Sequence, residues 1–175
     1  MDITGLKAQV RETGTAIIEE LEQFSEQQLN TIPFEGSWTA GQVGEHLLKS
    51  GGAVEVVFGR AIATERAPDE KIPMLSIFLD LSIKMQSPDF ILPSDGFHPK
   101  QQLIDGMQEC WAGVRKAVDT LDLAETCLDF EMPMIGVLTR FEWISFYVFH
   151  TQRHLHQLKK ILSHLGQRSS VLPRL

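Results

Sequence analysis

Apolar residues recur every three, four or seven positions from the start of the chain. Leu6, Val10, Ile17, Leu21 and Phe24 share one side of a helical wheel, which predicts an amphipathic helix over residues 3–24. Residues 25–38 contain Pro33 and Gly36 and read as a connection with room for one short turn. A second series, Val43, Leu47, Val54, Val57, Phe58 and Ile62, predicts a helix continuing to residue 62. Thr39 followed by Gln42 marks its start as a capping box, with Trp38 and Val43 placed for a hydrophobic staple. Gly41, Gly44, Gly51 and Gly52 each weaken such a helix by about 1 kcal/mol relative to alanine. That cost predicts close approach of another helix or of a ligand.

Residues 66–99 hold Pro68, Pro73, Pro88, Pro93 and Pro99 and break the helical pattern, with a short helix expected over residues 74–85. A connection this long reads as a crossover between helices that are not antiparallel neighbours. Pro99 suits the first turn of a third helix, whose apolar side is Leu103, Met107, Trp111, Val114 and Val118. Residues 122–138, with Pro133 and Gly136, form a second connection. Thr139 and Glu142 then repeat the capping box, with Leu138 and Trp143 as the staple. Trp143, Phe146, Tyr147, His150, His154 and Leu158 follow on one face of the fourth helix, and Gly166 is the expected stop. No segment alternates as a strand should. The pattern therefore predicts an all-α protein. It is a four-helix bundle with one long crossover between helices 2 and 3, a single domain over residues 1–166 and a tail over 167–175.

Composition narrows the function. The 175 residues carry a net charge of −7, which opposes binding to nucleic acid or to anionic lipid through a basic surface. No apolar run reaches the roughly 20 residues that span a bilayer, and the N-terminus does not read as a signal peptide. Cys110 and Cys127 form no CxxC motif, so a reduced cytoplasmic chain with both thiols as small buried or half-buried residues is expected.

The chemistry lies in the histidines. His150 and His154 are four apart on a helix, which sets their Cβ atoms about 6 Å apart on one face. His46 lies beside Val43, Leu47 and Ser50 on the inward side of the second helix. With six histidines in the chain, one such spacing arises readily by chance, and a lone inward histidine is commonly a hydrogen-bonded core residue. Three on apolar stripes say more, because an unpartnered buried imidazole costs free energy and bundle cores are where metal sites are built. Gln157, one turn beyond His154, is either exposed or a partner for a ligand imidazole. Trp143 and Tyr147 are core or a pocket wall above the site. His156 points away, His98 is placed to cap the third helix, and His164 sits in the last turn of the fourth.

Two stretches resemble the DinB/YfiT-like superfamily of four-helix-bundle metalloproteins. One is Ser37-Trp38-Thr39-Ala40-Gly41-Gln42-Val43-Gly44-Glu45-His46-Leu47-Leu48; the other runs His150-Thr151-Gln152-Arg153-His154-Leu155-His156-Gln157-Leu158. The resemblance implies up-down-down-up topology, frequent homodimers, and a divalent metal, nickel or zinc, held by His46, His150 and His154. It also implies a small-molecule substrate, and in some relatives transfer of a low-molecular-weight thiol such as bacillithiol, mycothiol or glutathione.

No carboxylate general base accompanies the histidines in sequence. Glu45 projects about 100° from His46, and Glu142 is committed to its capping box. That favours direct lowering of a nucleophile's pKa by the metal, with thiol transfer as the first expectation. A metal-dependent hydrolase and a non-enzymatic metal- or ligand-binding bundle are the alternatives.

Overall fold

The computed structural model describes residues 2–171. Helix α1 spans Ile3–Glu22, opened by Asp2, whose carboxylate accepts the Gly5 N–H at 2.7 Å. Its apolar stripe, Leu6, Val10, Ile17 and Leu21, is fully buried. The short helix α2, Glu26–Leu29, is the turn expected in the first connection, closed by a capping box between Ser25 and Gln28. Helix α3, Ala40–Ser50, begins at Thr39 with the predicted box: Gln42 N–H to Thr39 Oγ1 at 3.1 Å, Thr39 N–H to Gln42 Oε1 at 3.0 Å.

The helix expected to reach residue 62 is shorter and divided. Gly51 separates α3 from α4, Gly52–Phe58, and a Cβ at Gly51 would stand 2.7 Å from Cys110 Sγ. Close approach to the next long helix thus excludes a side chain there. Beyond α4, Asp129 accepts the Arg60 N–H at 2.7 Å and draws the chain off its helical path. Ala61–Ile62 becomes strand β1, paired antiparallel with β2, Thr126–Cys127. This ladder carries no signal in the hydropathy pattern, since two residues cannot show an alternation.

In the crossover, helix α5 is Ile72–Leu75, followed by 3-10 turns at Ser76–Leu79 and Asp89–Ile91. The short helix expected over residues 74–85 starts earlier, because Pro73 occupies its first turn. It also stops earlier, because Asp80 leaves in extended backbone and its carboxylate turns to Ser82. Pro99 precedes α6, Lys100–Thr120, and Thr139 opens α7, Arg140–Val171. The α7 capping box is formed, with Thr139 N–H to Glu142 Oε2 at 2.9 Å and Glu142 N–H to Thr139 Oγ1 at 3.1 Å. Gly166 does not end the helix. It is exposed, and its cost of about 1 kcal/mol is small beside a helix this long. Residues 167–171 of the expected tail are therefore helical, and 172–175 lie outside the described residues.

Helices α1 and α3 each pack along both α6 and α7, which makes the all-α, four-helix-bundle core. Trp111 at its centre is fully buried against Gly14 and tilted on Tyr147, ring centroids 5.1 Å apart. The crossover is tied to the bundle at several points. Glu142, fully buried, receives both Arg66 guanidinium nitrogens at 2.8 and 2.6 Å and the Lys71 N–H at 2.7 Å. Lys49 donates to the Leu92 carbonyl at 2.7 Å, and Arg153 donates to the carbonyls of Phe78, Asp80 and Ile83. Among the described residues no helix is long and apolar enough to cross a membrane.

Candidate metal centre

The packing of α3 on α7 decides where the three inward histidines meet. His46 sits in the second turn of α3, and His150 and His154 lie one turn apart on α7; their relative exposures are 1, 6 and 8%. His150 Nε2 lies 3.2 Å from His46 Nε2 and 3.1 Å from His154 Nε2. Three imidazole nitrogens thus face one point within 4.8 Å of one another.

The far nitrogens fix the proton count. His46 Nδ1–H donates to the Ile91 carbonyl at 2.8 Å, and His154 Nδ1–H donates to Gln157 Oε1 at 2.8 Å. A neutral imidazole carries one proton, so Nε2 of both rings presents a lone pair to the centre. His150 Nε2 could donate to one of them but not to both. Its own Nδ1 is buried and meets no partner among the described residues. At least one lone pair therefore points into the cluster without a proton, and a cation shared by all three is the charge that such a donor set fits.

Protonation of the rings is suppressed. Burial pushes His154 down to about 4, helped by the charge His46 would carry, with the Gln157 hydrogen bond opposing. Burial also lowers His46, against the Ile91 bond, and holds His150 well below its usual value. Unfolded imidazoles take protons below about pH 6.5 while the folded ones do not, so stability falls as pH falls. For His154 the loss accrues as pH falls from about 6.5 towards 4. Urea unfolding of metal-free protein at several pH values across that window checks it. The profile of His154→Asn is expected to be flatter than wild type, and an equal slope would refute the assignment.

Apolar rings enclose the cluster. Phe146 stacks on His150 with centroids 5.5 Å apart and planes 13° from parallel. Phe78, from the crossover, meets both Phe146 and His150 edge-on, and Trp38 tilts on His46 at 5.1 Å.

The family model of the DinB superfamily matches residues 9–158. The chain belongs to the DinB superfamily. The uncharacterized protein YuaE of Bacillus subtilis is 23% identical over 142 residues, covering 81% of this chain and 88% of YuaE. Among solved structures, YfiT from Bacillus subtilis superposes with a TM-score of 0.59 at 17% identity. The match covers 94% of this chain and 87% of that one. YfiT is described as a probable metal-dependent hydrolase with an unusual four-helix bundle topology. At that identity the likeness speaks for the shared bundle fold.

In this DinB-superfamily chain Gln157 is half-buried against His154 rather than exposed. Trp143 and Tyr147 lie elsewhere along α7: both are buried and line a small apolar cavity with Val54, Val57, Val114 and Ala117. The Tyr147 hydroxyl donates to the Leu47 carbonyl at 3.3 Å, so it faces the core between α3 and α6. Glu45 turns away from the centre to His98 Nε2, Ser94 and Lys49. Burial would raise its pKa, but those hydrogen bonds outweigh burial and hold it at about 2. His98 therefore ties the crossover to α3 rather than capping α6. His156 and His164 are exposed. Burial raises both thiols, Cys127 to about 11, so neither is an activated nucleophile. Sequence reasoning missed Ile91 and Phe78. A backbone carbonyl in a proline-rich crossover leaves no residue signature, and an isolated phenylalanine there looks like any other.

Proposed function

We propose that His46, His150 and His154 hold a divalent transition metal, nickel or zinc, and that the protein is a metal-dependent enzyme of thiol-transferase type. The observation that carries the reading is the convergence of three Nε2 atoms whose partner protons on His46 and His154 are already committed. A divalent ion there supplies a Lewis acid that lowers the pKa of a coordinated thiol or water.

The chain's own residues do the rest. Ile91 and Gln157 orient two imidazoles and keep their Nε2 lone pairs inward. Phe146 and Phe78 exclude water from the His150 side and lower the local dielectric. Glu45 and Glu142, the carboxylates nearest in sequence, are consumed by His98 and Ser94 and by Arg66 and Lys71. With neither free as a general base, a nucleophile acidic enough to ionise on coordination is favoured, and a thiol is more acidic than water. The hydrolase reading stays as the second because YfiT, of similar fold, is described in that way.

Elemental analysis of untagged protein, followed by assays of zinc- and nickel-loaded samples, tests the proposal. About one metal equivalent and consumption of an aryl halide only in the presence of glutathione or bacillithiol is the expected result. Ester hydrolysis without thiol would move the assignment to the hydrolase, and no metal after reconstitution would refute both. Gln157→Leu is expected to weaken metal affinity about 10- to 100-fold, because His154 loses the acceptor that fixes its tautomer. Chelator competition measures this, and unchanged affinity would remove Gln157 from the site.

A further inference from the structure

The carbonyl that holds His46 lies at the edge of a stretch with little apolar packing to fix it. Residues 92–98 run as irregular chain; Leu92 and Phe97 are exposed, and His98 is buried. What sets the Ile91 carbonyl 2.8 Å from His46 Nδ1 is therefore the polar contact this stretch makes with α3. It runs back along α3 from the last turn towards the first. The Leu92 carbonyl accepts from Lys49, Ser94 and His98 meet Glu45, and the Ser94 carbonyl accepts from Gln42 at 3.1 Å.

Glu45 gathers most of these contacts. Its Oε2 accepts from the Ser94 N–H at 2.6 Å, Ser94 Oγ at 2.9 Å and His98 Nε2 at 2.8 Å. Its Oε1 lies 3.0 Å from Lys49 Nζ, the donor to Leu92. Hydrogen bonds to an ionised carboxylate are about twice as strong as neutral ones. Asn30 secures the far end through the His98 backbone, accepting its N–H at 2.8 Å and donating to its carbonyl at 3.0 Å. The link from anchor to carbonyl is short and stiff, because only Leu92 and Pro93 separate Ser94 from Ile91 and proline fixes its own φ.

We propose that Glu45 is a positioning residue of the metal centre. By fastening residues 92–98 to α3 it holds the Ile91 carbonyl on His46 Nδ1–H, and so keeps the His46 Nε2 lone pair turned inward. The proposal rests on the metal-centre reading above for the ion, while the orientation of His46 is measurable in metal-free protein.

The test follows the His46 Nδ1 proton by NMR in metal-free, full-length protein carrying isotope-labelled histidine. In Glu45→Ala that proton is expected to exchange with water about tenfold faster than in wild type, as an outer partner worth about tenfold in ligand affinity implies. The His154 Nδ1 proton is the internal control. Its acceptor, Gln157, lies on the same helix as His154, and its exchange is expected to stay unchanged. Ser94→Ala removes one of the Glu45 donors at an exposed residue and leaves every charge in place. It is expected to shift His46 in the same direction by about twofold. Chelator competition is expected to show zinc bound about tenfold more weakly by Glu45→Ala. That loss is expected to persist at high salt, where the bare effect of removing a negative charge near the ion is screened.

Circular dichroism checks folding, and if Glu45→Ala unfolds, Ser94→Ala decides by the same two protons. Unchanged exchange at His46 in the folded variants would overturn the proposal, and so would equal acceleration at His154, which would mean general loosening. Zinc affinity in Glu45→Ala that matches wild type, or returns to it at high salt, would overturn it too. A wild type that holds no zinc but shows the acceleration at His46 alone would sink the metal reading and support the role of Glu45 in orienting that ring.

Discussion

His150→Ala is expected to reduce bound metal from about one equivalent to background. His150 Nε2 stands between the other two, 3.2 Å from His46 and 3.1 Å from His154, so its removal takes away the nitrogen that joins the α3 and α7 sides. Loss of a single supporting partner of a ligand costs about 10- to 100-fold in affinity, and loss of the ligand itself is expected to exceed the upper end of that range. The two remaining imidazoles keep their orientations, since neither the Ile91 nor the Gln157 bond involves His150. The variant thus tests ligand number rather than collapse of the site. Elemental analysis and chelator competition on wild type, His150→Ala and His156→Ala give the answer. His156 is exposed, and its replacement is expected to leave metal content unchanged. Full metal content in His150→Ala would show that the ion binds elsewhere.

Arg66→Met is expected to destabilise the fold by about 3 kcal/mol, roughly 8 °C in Tm for a chain of this size. Glu142 is fully buried and receives both Arg66 nitrogens as well as backbone N–H groups of Thr139 and Lys71. Burial raises its pKa, and those hydrogen bonds more than offset the rise, so it is ionised below the usual carboxylate range. Without Arg66 a charge is left buried with only two N–H partners. The sign of the pH effect follows. A depressed carboxylate contributes stability that is present at neutral pH and lost as pH falls through its folded pKa. The deficit of Arg66→Met is therefore full at pH 7 and shrinks in acid, where Glu142 takes a proton in the variant first. Chemical denaturation at pH 7 and pH 4.5 measures both, and R66M/E142Q is expected to recover much of the loss. A deficit independent of pH would mean that Arg66 acts through packing alone.

The helices were legible because their signals are local. Leu6 to Phe24, the boxes Thr39–Gln42 and Thr139–Glu142, and Pro99 before α6 each act within a few residues, through side-chain spacing and caps that any chain carries with it. The inward placement of His46, His150 and His154 was legible for the same reason, as each falls on an apolar stripe. Where the sequence misled, a distant group outweighed the local pattern. Cys110 leaves no room for a Cβ at Gly51, where α3 gives way to α4, Asp129 holds the Arg60 N–H just before strand Ala61–Ile62, and Glu45 takes His98 away from the cap of α6. At Gly166 the error ran the other way: a local stop signal is worth only about 1 kcal/mol and a helix can run through it.

By itself, then, the sequence determined an all-α bundle, its long helices and three histidines facing a common interior. Only the tertiary structure decided that their Nε2 atoms meet, because that depends on how α3 docks against α7, and docking is set by packing between residues about a hundred positions apart. Only it revealed the Ile91 carbonyl that orients His46 and the ring of Phe78 over His150. Both belong to a crossover whose course is fixed by the buried Glu142 pair and by Arg153, and such long-range charge contacts leave no periodic trace in the chain.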